Sequence, residues 1–123
     1  MAFPIGPDFV ALQVRDLQAS ANFYQNILGF LREEKSPPEA VLFKTSPIPI
    51  ALRNPFRPLP PAGPLGLGLA LWIACDDADE LHRNISDRGG TVVGAPADGP
   101  FGRFFALKDP DGYVLTFHTN KSR

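Results

Sequence analysis

A lone cysteine, Cys75, rules out an internal disulfide, and its place in the apolar run from Leu69 to Cys75 argues for a packed, inert thiol rather than a nucleophile. No charge of one sign dominates. The 12 basic and 13 acidic residues leave a formal net charge of −1 with no long like-charged run. Such a chain has no electrostatic footprint for nucleic acid or an anionic membrane surface, so neither partner is expected. Long hydrophobic runs are missing too: nothing approaches the ~20 apolar residues that span a bilayer. The start MAFPIGPDF lacks the basic end and apolar stretch of a secretion signal, so the expected location is cytoplasmic. No Lys and Ser/Thr pair follows the short Gly66-Leu67-Gly68, which gives phosphate chemistry no support. No Ser/His/Asp or Cys/His set can be placed on one face, and nucleophilic catalysis has no sequence argument either.

What is present is one supersecondary plan written twice. Phe9 to Val14 alternates as a strand, Asp16 can cap a helix, and Leu17, Ala21, Tyr24, Ile27 and Leu28 fall on one helical face before Gly29 ends it. In the second half Ala70 to Cys75 is the strand, and Asp77 with Glu80 makes a capping box. Ala78, Leu81 and Ile85 form the apolar stripe, and Gly89-Gly90 stops the helix. Subtracting 61 maps Ala70 onto Phe9, Cys75 onto Val14, Asp77 onto Asp16 and Gly90 onto Gly29.

Further strands are expected over residues 40–45 and 48–53 in the first half, and over 91–93, 103–108 and 113–119 in the second. Each half is then βαβββ. Asp109-Pro110-Asp111-Gly112 supplies the turn before the last strand, because Pro pre-sets φ, Asp bonds the local backbone and Gly accepts φ > 0. The chain therefore reads as one α+β domain over residues 1–123, with modules at about 8–53 and 69–119. Pro and Gly keep residues 54–68 a linker between them. Pairing the halves would put the helices on the outer face and curl a mixed sheet into a cup.

This duplicated unit carries Leu12-x-Val14-x-Asp16-Leu17, Asn22-Phe23-Tyr24, Leu28-Gly29-Phe30 and the late Asp109-Pro110-Asp111-Gly112. On these residues it resembles the vicinal oxygen chelate superfamily, which includes glyoxalase I, extradiol dioxygenases, fosfomycin resistance enzymes and bleomycin resistance proteins. The resemblance implies the glyoxalase/bleomycin resistance fold and, in the enzymes, a divalent metal held by His and Glu on inward strand positions. Those positions map here onto Phe9, seven residues before Asp16, onto Ala70 by the same register, onto Ala51 at the end of the first module, and onto Thr116, four residues after Gly112. Phe and Ala carry no donor atom and a neutral Thr hydroxyl is a poor one, so no metal and no other cofactor is expected.

The candidate binding residues are then Phe9, Gln13, Ala51, Arg53, Ala70, Trp72, Thr116 and His118, with no catalytic group assigned. Each has a plainer alternative. Trp72 shares strand parity with Ala70 and Ala74 and is either a stacking platform for a flat ligand or a core or dimer-interface aromatic; Phe9 reads the same way. Arg53 is either a fixed cation for a carboxylate or phosphate or a solvated rim residue. Gln13 is either a ligand hydrogen bond or a polar residue closing the sheet. His118 shares a face with Thr116 and is either a ligand or acid/base group or a partly exposed strand histidine. His82 reads as a half-buried helix histidine, and Arg57-Pro58-Leu59-Pro60-Pro61 as a chance polyproline match.

The expectation is a metal-free protein that holds a small apolar or aromatic molecule and acts by sequestration. The alternative is a lyase or dioxygenase of the same superfamily, metal-dependent or not. A homodimer is implied by the resemblance.

Overall fold

The computed structural model describes residues 2–119, and these form two compact units that divide between Leu59 and Pro60. In the first unit β1 (Val10–Gln13) leads to helix α1 (Leu17–Asn22), whose N-terminus is capped by the Asp16 carboxylate accepting from the Ala19 amide at 3.1 Å. A π-helical turn over Phe23–Leu28 continues α1 and stops at Gly29, with φ +93°. Strands β2 (Ala40–Phe43) and β3 (Ile50–Arg53) follow, and the sheet order is β1-β3-β2. β1 runs parallel to β3 and β2 antiparallel to it. An edge segment around Arg32 adds itself to β2 through Glu33 N to Leu42 O and Lys44 N to Leu31 O.

The second unit repeats this topology. β4 (Leu71–Cys75) leads to α2 (Ala78–Asp87), capped by Asp77 accepting from the Glu80 amide at 3.1 Å. β5 (Ala97–Gly99), β6 (Gly102–Lys108) and β7 (Val114–Thr119) complete a sheet of order β4-β7-β6-β5. The expected strand over 91–93 shrinks to a single bridge from Val92 to Leu107, and Ala97–Gly99 does the edge pairing with β6 instead. Gly94 and Pro96 interrupt this edge, so it is laid down in two pieces.

One register detail departs from the 61-residue offset. The glycine that takes the left-handed conformation after α2 is Gly89, φ +90°, rather than Gly90. Thirteen positions separate Asp16 from Gly29 but only twelve separate Asp77 from Gly89. The π-helical turn over Phe23–Leu28 absorbs the extra residue, since its wider loop admits one more than an α-turn.

Alternation decides what each sheet buries. In the first unit Leu12, Val41, Phe43, Ile50 and Leu52 face α1 and its continuation, where Tyr24 stacks on Phe43 with centroids 5.9 Å apart. In the second, Phe105, Leu107, Leu115 and Phe117 pack beneath α2 with Ala78 and Ile85. Each fully buried side chain of this size contributes about 1.5–3 kcal/mol, so these rows hold helix to sheet. The opposite face of each sheet carries the candidate residues.

The Asp109 turn forms as its residues require. The Asp109 carboxylate accepts from the amides of Asp111 at 2.9 Å and Tyr113 at 3.0 Å, and Gly112 turns at φ +88°. Residues 54–70 form neither helix nor strand, and their ends attach to different units. Phe56 is held by the first. Leu65 is buried and donates to the Asp111 carbonyl of the second at 2.9 Å.

Candidate functional site

In the second unit the open face of the sheet is an aromatic surface. Register pairs Trp72 on β4 with Thr116 on β7 and Ala106 on β6, while the next row is Ala74, His118 and Phe104. Because β7 lies between β4 and β6, the Trp72 indole leans across the small Thr116 toward Phe104 and His118. Its ring centroid lies 6.0 Å from Phe104 and 5.8 Å from His118, the latter edge-on. Phe101, in the turn joining β5 to β6, presents a third ring at 5.6 Å, also edge-on. Trp72 nonetheless remains 49% exposed and Phe101 64% exposed.

His118 is fixed in this surface. Its Nδ1 lies 3.0 Å from the Phe101 carbonyl oxygen, which can only accept, so Nδ1 carries the proton. In the neutral ring Nε2 is then an acceptor, and it has no partner among the described residues. The β5–β6 turn is seated at the same end of β7: a side chain at Gly102, φ +99°, would run into the Thr119 carbonyl.

In the first unit Ala11, Ala51 and Leu42 form one cross-strand row on the open face, and Gln13, Arg53 and Ala40 the next. Ala51 is buried, while Phe9 stands just before β1 and is 60% exposed. Gln13 Oε1 accepts from the Phe56 amide at 3.1 Å. The Arg53 guanidinium carbon lies 3.6 Å from the centroid of the Phe56 ring, and Arg53 Nε donates to the Asn54 carbonyl at 3.0 Å. Both polar residues therefore clamp the chain leaving β3, a role that sequence parity alone did not disclose.

The structure thus gathers Trp72, Thr116 and His118 on one face of the second sheet, and Gln13, Ala51 and Arg53 on one face of the first. Ala70 precedes β4 and is exposed. Phe101 and Phe104 were missed from sequence. Gly99-Pro100-Phe101-Gly102 did hold a signal, since a turn of Pro and Gly has no local reason to carry an exposed phenyl ring.

The other reactive side chains have structural roles. Burial, with the negative charge of Asp76 nearby, pushes the Cys75 thiol up to about 11. His82 lies edge-on to Phe105, with Nε2 3.0 Å from the Gly94 carbonyl. Arg103 reaches both Asp79 carboxylate oxygens at 3.2 Å, which raises its pKa through that hydrogen bond.

A family model described as the Glyoxalase/Bleomycin resistance protein/Dioxygenase superfamily matches residues 6–117. The chain belongs to this superfamily. Among the solved structures it resembles is the antibiotic binding protein TnmS3 from Streptomyces sp. CB03234, at 25% identity and a TM-score of 0.77, covering 98% of this chain and 99% of that one. TioX from Micromonospora sp. ML1 superposes with a TM-score of 0.75 at 19% identity, covering 94% and 98%. Lactoylglutathione lyase from Agrobacterium tumefaciens does so at 0.69 and 24% identity, covering 93% and 92%. The last two likenesses establish fold alone. No curated relative matches the sequence.

The divalent metal used by the superfamily's enzymes does not fit the residues present. Phe9, Ala51 and Ala70 offer no donor atom and Thr116 only a neutral hydroxyl. Among the described residues no three His, Cys, Asp or Glu side chains gather into a group able to hold a metal.

Proposed function

We propose that this superfamily member is a metal-free binder of a small, largely apolar or aromatic molecule, held against Trp72 on the open face of the second sheet and acting by sequestration. The half-exposed Trp72 carries the reading. A folded sheet with a buried opposite face gains nothing by leaving an indole, Phe101 and part of His118 in water, whereas a flat ligand laid on them would be desolvated on a rigid aromatic surface. The likeness to TnmS3, an antibiotic binding protein, supports the same class of function.

In the first unit Gln13, Ala51 and Arg53, with Phe9 beside them, are proposed as binding residues on that sheet's own open face. Stacking on Phe56 leaves the two terminal nitrogens of Arg53 for a ligand oxygen. Ala70 would border Trp72. A homodimer and a cytoplasmic location belong to the same reading. Within its own sheet, each of β1 and β4 pairs on one side only, and such edges favour covering by a second copy. With Cys75 held as a thiol, the chain has no need of an oxidising compartment.

Trp72 is the only tryptophan, so its fluorescence reports the site directly. Titration with a neutral fused-ring aromatic such as 2-methoxynaphthalene, checked by calorimetry, is expected to give saturable one-to-one binding that Trp72→Ala weakens at least about tenfold. Absence of saturable binding across a panel of such aromatics would overturn the reading.

An enzymatic reading, a metal-independent lyase or dioxygenase, has one observation in its favour: the Nε2 of neutral His118 can take a proton from a ligand lying on Trp72. Chemical change of bound ligand, followed by mass spectrometry and abolished by His118→Asn, would establish it over sequestration.

A further inference from the structure

From the His118 tautomer we infer that the ligand class is narrower than apolar aromatics: the site selects a fused-ring aromatic bearing a hydrogen-bond donor, a phenolic hydroxyl or ring N–H, at the edge that meets His118. The inference rests on the binding reading above and goes on to specify its chemistry.

Three observations carry it. The Phe101 carbonyl, 3.0 Å from His118 Nδ1, places the proton on that nitrogen and leaves Nε2 of the neutral ring an acceptor with no partner among the described residues. The Trp72 and His118 ring planes cross at 67° with centroids 5.8 Å apart, so a ring lying parallel to the indole cannot also stack on the imidazole. Thr116, directly across from Trp72, supplies a hydroxyl that rotates to donate or accept, and so does not penalise a ligand oxygen that donates to His118. An aromatic without a donor would desolvate Nε2 and leave it unmatched, which is the more costly outcome for a buried acceptor.

The main-chain acceptor beside His118 is already used. The Phe101 carbonyl accepts from His118 Nδ1, and among the side chains of the two rows only Thr116 and His118 carry acceptor atoms, the Trp72 indole adding an N–H donor. Among the described residues neither of the two rows carries a cation for a carboxylate ligand. A phenol has both a ring surface and an acceptor.

The test compares 2-naphthol with 2-methoxynaphthalene, which share a ring system and differ in the donor, by calorimetry and Trp72 fluorescence at about pH 8. The expected result is binding of 2-naphthol at least about fivefold tighter. In His118→Asn the amide nitrogen can still donate to the Phe101 carbonyl while the Nε2 acceptor is gone. That variant is expected to bind both probes alike. His118→Phe is the second variant and is expected to lose the same preference. Equal binding of the two probes by the unaltered protein, or a preference that survives both substitutions, would overturn the donor inference and leave the binding reading standing. Failure of both probes to bind would overturn both.

Discussion

Arg53 lies flat over Phe56, its guanidinium carbon 3.6 Å from the ring centroid. With the Gln13 carboxamide accepting from the Phe56 amide, this contact holds the start of the Pro-rich segment to the first sheet. Phe56→Ala is expected to lower stability by only ~0.5–1 kcal/mol, the scale of an exposed cation–π contact. The same change should speed tryptic cleavage after Arg53 several-fold at constant global stability. Arg53→Lys keeps the charge and loses the planar stack, and it is expected to behave like Phe56→Ala in the proteolysis assay.

Trp72→Ala should separate binding from folding. The indole is half exposed on the face away from the core, so urea unfolding is expected to shift by less than about 1 kcal/mol while aromatic binding weakens at least about tenfold. A change of several kcal/mol in stability would instead make Trp72 a core residue.

The Asp109 turn should respond to a small chemical change. Its carboxylate accepts two backbone amides while 6% exposed, and Asp109→Ala strands both donors. A loss of about 2–3 kcal/mol in denaturant unfolding is expected, largely recovered in Asp109→Asn, which keeps an oxygen acceptor. Gly112→Ala should be at least as damaging, because φ is +88° and the added Cβ would lie 2.7 Å from Pro64.

Cys75 should be slow toward thiol reagents at neutral pH. Burial and Asp76 raise its pKa to about 11, so little thiolate exists below pH ~10. The rate of iodoacetamide alkylation should climb only as pH approaches the folded value. The folded state keeps its proton longer than the unfolded chain, whose thiol ionises near the ordinary value of 9.0. The thiol's contribution to stability is therefore complete below about pH 9 and is lost as pH rises through 11.

Metal analysis of protein purified without chelator or a metal column should find no stoichiometric zinc, iron, manganese or nickel, and chelator should leave both Tm and aromatic binding unchanged. Stoichiometric metal would mean that ligands lie outside the four positions occupied by Phe9, Ala51, Ala70 and Thr116.

Much of the fold was legible because its signals are local. Asp16 and Asp77 cap helices through amides three residues ahead, Gly29 ends the first with a left-handed turn, and the Asp109 turn bonds within five residues. The site was legible only as parity. Alternation put Trp72, Thr116 and His118 on one face, and register agreed. It said nothing of Phe101, which joins them through a turn, nor of Phe56, which occupies Gln13 and Arg53.

The sequence by itself determined two modules on one plan, their caps, their turn and the absence of donor side chains where the superfamily's enzymes hold a metal, because each of these is set by residue identity or short-range backbone geometry. Only the tertiary structure decided that Phe101 fixes the tautomer of His118 from seventeen positions away, and that Phe56 meets Gln13 across forty-three. Contacts at that separation depend on which strands lie side by side and in what register. That is settled when the core rows pack beneath the helices, and no local pattern records it.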